Sequence, residues 1–245
     1  MKTTVGNHGY GRYYVVDENA GIKLPSVTTI LTEMSDKSGL IEWKKKVGEA
    51  EADRISNFSA NRGTFMHSLH EHYLNSRFVH SEEKPLQQAF IKAMKECSKL
   101  TKEEIECGKN LFLQFHNNSD FYERIESVMF QEVPLWSFVG GGYAGRMDLS
   151  IWAKTLIRNR IPRVIDFKTS RRPKKEEWID GYKMQTAAYS VALRERHGIF
   201  PESCEIWISC ETGEVQLFEM DRKAIKENFE KFYEKLKAYH QKFNS

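Results

Sequence analysis

Apolar residues recur at steps of three and four through the first half of the chain, and alternate with polar ones through much of the second half. Leu40, Trp43, Val47 and Ala50 keep helical spacing, which predicts a helix over about 39–55. A second helix is expected over 59–74, and two more over about 85–100 and 102–118. Ser26 stands where it would cap a short helix over 27–34, after a strand at 10–16 and turns marked by Gly21 and Pro25. The first convincing β pattern covers 127–136. Strands are then expected over 143–152 and 163–168, a helix over 178–197, strands over 204–210 and 214–219, and a last helix over about 221–243. That helix carries Ile225, Phe229, Phe232, Leu236, Tyr239 and Phe243 as a stripe. A partner helix or the chain's own core could cover it, and the core is the expected cover.

These elements predict a mixed α/β (α+β) fold: a mainly helical N-terminal part, 1–120, feeding a sheet-bearing part, 121–245. No repeat, low-complexity tract or Pro/Gly-rich linker divides the chain, so 1–245 reads as one domain. At 245 residues, 40% hydrophobic and 29% charged, it has the composition of a soluble globular protein. It has no apolar run of membrane-spanning length, and its start resembles neither a secretory signal nor a transit peptide. A cytoplasmic place, in a bacterium or a phage-infected host, is the expectation. The four cysteines, Cys97, Cys107, Cys204 and Cys210, form no CxxC pair, so zinc ribbons and redox motifs have no support and free thiols are expected.

A net charge of +3 says little about partners, but basic clusters stand at 44–46, 158–163 and 171–175. The last follows the most informative stretch of the chain, Arg163-Val164-Ile165-Asp166-Phe167-Lys168. Strand alternation puts Val164, Asp166 and Lys168 on one face, with Ile165 and Phe167 on the other. A carboxylate and an ammonium then leave the sheet side by side, and Asp148 on a neighbouring strand could meet them. Two oxygen ligands and a cation suit a divalent metal and a phosphate. The plain alternative is a surface Asp–Lys ladder without chemistry. Glu132 is a further acidic candidate, and His67, one helical turn after Gly63, could ligate the metal or contact a phosphate. Gln185 and Tyr189, one turn apart, could bond a phosphate or stack on a base, or merely meet water.

Taken in order, Gly63-x-x-x-His67, Gly145-x-x-Asp148, Asp166-x-Lys168 and Gln185-x-x-x-Tyr189 resemble the RecB-like branch of the PD-(D/E)XK nuclease superfamily. The stretches 24–31, 143–148 and 165–170 look most like the mitochondrial genome maintenance exonuclease group and its phage relatives. The resemblance implies a restriction-endonuclease-like core, with a central mixed sheet flanked by helices. It implies a Mg²⁺- or Mn²⁺-dependent exodeoxyribonuclease acting on DNA with free or single-stranded ends, in replication, recombination, repair or phage DNA processing. Asp148, Asp166 and Lys168 would be catalytic, and His67 and Glu132 would join Asp148 and Asp166 at the metal. Gln185, Tyr189, Arg62, Arg171, Arg172, Lys174 and Lys175 would contact DNA. Met147 stands where the superfamily's name has proline. The cysteines lack the spacing that some relatives use for an iron–sulfur cluster, so none is expected. A structure-selective endonuclease and an inactive DNA-binding accessory protein are the rival readings.

Overall fold

The computed structural model describes residues 11–17, 21–155 and 160–243, so Tyr10 of the first expected strand and Arg158 of one basic cluster lie outside the described residues. A hairpin of β1 (Tyr13–Asp17) and β2 (Ile22–Pro25) opens the fold; Pro25 ends β2 and does not make a turn. Ser26 caps α1 (Val27–Glu33), its hydroxyl accepting the Thr29 N–H at 3.0 Å.

The expected 39–55 helix divides at Gly48, whose φ of 87° no helix tolerates. On one side lies α2 (Ser38–Val47), with Lys44, Lys45 and Lys46 in its last turn, where cations suit the helix dipole. On the other, α3 (Glu49–Leu74) runs straight through the gap expected at 56–58. Next come α4 (Pro85–Glu96), α5 (Lys102–His116) and the single turn α6 (Ser119–Tyr122). A capping box closes the start of α5: Thr101 and Glu104 each take the other's backbone N–H.

Five strands form the central sheet in the order β3 (Ile125–Ser137), β4 (Tyr143–Ala153), β5 (Ile161–Ser170), β6 (Ser203–Cys210), β7 (Val215–Asp221). All neighbours are antiparallel except β5 and β6, which the crossover helix α7 (Asp180–His197) joins in parallel. This is the expected mixed α/β fold, with helices on both faces of the sheet.

Strand alternation sorts the core. Leu149, Ile151, Ile165, Phe167 and Trp207 pack with α3, α4 and α5 on one face. Val164, Met147, Tyr143 and Cys204 pack with α1, α7 and α8 (Arg222–Phe243) on the other. The α8 stripe therefore covers the chain's own core, with Ile225, Phe232, Leu236 and Tyr239 buried. Among the described residues no helix is long and apolar enough to cross a membrane. All four cysteines are free thiols.

Candidate active site

Where β4 and β5 stop pairing, they open a cleft. Their last backbone pair on this side is Leu149 with Ile165, and Asp148 and Asp166 stand one residue beyond it. The Asp148 carboxylate replaces the missing ladder partner by accepting the Phe167 N–H at 2.8 Å. That bond fixes the carboxylate at the mouth of the gap, toward α3.

Two further side chains reach the same place. His67 projects from α3, its Nδ1 3.7 Å from Asp148 Oδ2 and 3.8 Å from Glu132 Oε1. Glu132 lies between the β3–β4 pairs Gln131–Leu149 and Val133–Met147, with φ of 49° inside a strand. A side chain in that left-handed region costs about 1–3 kcal/mol, which the surrounding ladder must hold in place. The distortion is local and coincides with the site. One ligand atom each from His67, Glu132 and Asp148 falls within 4.8 Å of the others, a spacing that can surround one metal ion.

Asp166 is beside this trio but faces α7. Its Oδ2 lies 2.5 Å from Lys168 Nζ, yet it accepts no well-aligned hydrogen bond, and Oδ1 takes only a long one, 3.4 Å, from Gln185. Burial pushes the Asp166 carboxyl up to about 6 against the pull of Lys168, and Asp148 adds to the rise. Burial works against the Lys168 charge too, but Asp166 and Asp148 outweigh it and hold the ammonium above its ordinary value. His67 behaves likewise: burial lowers it, while Asp148 and Glu132 raise it further. Lys168 also lies over the Tyr182 ring at 5.2 Å.

The expected site residues therefore divide into groups. Asp148, Asp166, Lys168, His67 and Glu132 converge. Gln185 and Tyr189 lie beneath Asp166, nearly buried and bonded to each other at 3.3 Å, and neither projects into solvent. Gly145 makes room for them, because a Cβ there would lie 2.5 Å from the Tyr189 ring. Arg62 is buried against Glu211 and faces the Phe58 ring, so its guanidinium is spent inside the fold and not held out to a phosphate. Arg171, Arg172 and Lys175 are exposed beyond β5, and the Lys174 backbone is fixed by two bonds to Gln216.

A cavity of about 480 Å³ opens onto His67, Glu132 and Lys168, and is lined further by Arg12, Arg146 and Glu71. Sequence reading passed over Arg146, whose Nε is 3.6 Å from Glu132, and Tyr182. Tyr182, Gln185 and Tyr189 form a stripe at helical spacing that would have pointed to the latter.

The sequence matches the family model for the PD-(D/E)XK nuclease superfamily over residues 43–244. Among solved structures it is similar to a candidate exonuclease from Eubacterium rectale, at 13% identity and a TM-score of 0.44, over 69% of this chain and 64% of that one. The chain thus spans less than two thirds of that protein's length. It is also similar to the SSO0001 protein, at 20% identity and a TM-score of 0.31, over 70% of this chain and 73% of that one. No curated protein matches it.

Proposed function

The chain belongs to the PD-(D/E)XK nuclease superfamily, and we propose that within it the protein is a metal-dependent DNA exonuclease that shortens single strands from their ends. The observation that carries this reading is the convergence of His67, Glu132 and Asp148 beside a buried Asp166–Lys168 pair.

The donor set fits a hard divalent ion such as Mg²⁺ or Mn²⁺: carboxylate oxygens dominate it, and Asp166 Oδ2 is a buried acceptor short of donors. Asp148, Asp166, Glu132 and His67 would hold such an ion, which would supply charge neutralisation at the phosphate and activation of water. Lys168, kept protonated by its two carboxylate neighbours, is a fixed cation for the phosphate oxygens as their charge grows. Gln185 and Tyr189 act through Asp166, setting its orientation from below. The exposed Arg171, Arg172 and Lys175 and the half-buried Lys174 take flanking phosphates and draw the strand in.

Digestion of 5′- and 3′-labelled oligonucleotides with Mg²⁺, against a closed circular single strand, tests the proposal. Linear strands are expected to shorten from one end, the circle to stay whole, and EDTA to stop the reaction. Nicking of the circle would make the protein an endonuclease. No cleavage of any substrate would leave a DNA-binding accessory protein.

A further inference from the structure

A second cavity, of about 530 Å³, adjoins the catalytic one and shares Ser59 and Thr169 with it. It lies between α3, the end of β5 and the start of α7, and its size is that of a small-molecule site. Its charges are polarised. On the α3 side Arg54 is bound by Glu51 through two hydrogen bonds of 2.8 Å, with Glu103 nearby, and Arg62 is closed off by Glu211. On the opposite side Arg171 and Lys174 also line the cavity, and among the described residues neither side chain has a carboxylate partner. Ile55, Phe58 and Tyr182 supply apolar surface between the two sides.

An anion entering this cavity meets cations already paired with carboxylates at the α3 wall and two uncommitted cations at the β5 wall. A flat apolar group meets the rings. Gly63 lines the catalytic cavity beside the shared Thr169, and a Cβ there would lie 3.7 Å from Thr169 Oγ1.

We propose that this cavity is a subsite for one nucleotide of a single strand next to the scissile phosphate: Arg171 and Lys174 take its phosphates, and Phe58 and Tyr182 border its base. The subsite rests on the nuclease reading above and adds to it the side of the site on which the strand lies and the residues that meet its base.

The test separates the two claims. Hydrolysis of bis(4-nitrophenyl) phosphate by the wild-type protein with Mn²⁺ needs no flanking nucleotide; its absence would sink both. Binding of a labelled single-stranded oligonucleotide, with Ca²⁺ to prevent cleavage, tests the subsite. Arg171→Gln with Lys174→Gln should weaken binding at least tenfold and flatten the log–log salt dependence by about 1.4, the loss of two phosphate contacts. Phe58→Ala should weaken it by about tenfold with the salt slope unchanged, as expected for a lost stacking contact. A 5-iodouracil next to the cleaved bond should crosslink to Phe58 or Tyr182. Wild-type affinity and slope in the charge variant, or crosslinks elsewhere on the surface, would overturn the subsite and leave the nuclease standing.

Discussion

Asp166 and Glu205 lie on adjacent strands, both buried, but on opposite faces of the sheet, and the fold treats them in opposite ways. Glu205 pairs across from Ile165 and turns toward α5, where Arg124 and Trp207 donate to it at 3.1 and 2.7 Å and Arg163 adds a second guanidinium. Asp166 turns toward α7 and receives one ammonium and one long amide bond. A buried charge without full compensation is expensive. Glu205 shows that this scaffold can satisfy one completely, and the deficit at Asp166 fits the proposed metal site beside it.

Substitutions at the two carboxylates should have opposite effects. Asp166→Asn should abolish cleavage and weaken Mn²⁺ binding while leaving the melting temperature at neutral pH unchanged or higher; calorimetry and a nuclease assay read both. Lys168→Ala should cost about 10²–10³-fold in turnover and leave metal binding nearly intact. Glu205→Gln should do the reverse. It strands Arg124 and Arg163, which costs about 3–5 kcal/mol in a denaturant titration, while turnover per folded molecule stays at the wild-type value. If Glu205→Gln killed activity in a fully folded protein, the division between scaffold and site would be wrong.

The pH dependence sharpens the same point. The folded-state pKa of Asp166 is raised to about 6, so the metal-free fold holds a proton that the unfolded chain has already released. Its contribution to stability therefore falls as pH rises through the window up to about 6 and is flat above it. Subtracting the pH–stability curve of Asp166→Asn from that of the wild type should show this fall. His70 works the other way. Buried against Phe167 with ring centroids 3.8 Å apart, it has a pKa held well below its ordinary value by burial and then by His67. Its share of stability is complete above the unfolded value and is lost as pH drops, so His70→Phe should flatten the acid side of the melting profile.

Much of this was readable in the residues. The α8 stripe is long and strongly periodic, and the alternation in the short run Val164–Lys168 sends Asp166 and Lys168 out together. Three features were hidden, one by a local backbone conformation and two by interactions that cross the chain. Gly48 ends a helix whose apolar spacing runs on past it, so periodicity alone joined what a positive φ separates. Arg62 reads like any basic residue on a helix until Glu211, far along the chain, is folded against it. Glu205 reads like an ordinary strand carboxylate, because its arginines lie 81 and 42 residues away. Gln185 and Tyr189 were legible as a pair, but their burial beneath Asp166 depends on the close approach that Gly145 permits.

The most direct measurement is the anomalous diffraction of a crystal soaked in Mn²⁺. One peak is expected, bounded by His67, Glu132, Asp148 and Asp166, with Lys168 withdrawn from Asp166 Oδ2. No peak there, in crystals of a protein that cleaves DNA with Mn²⁺, would contradict the proposed metal site.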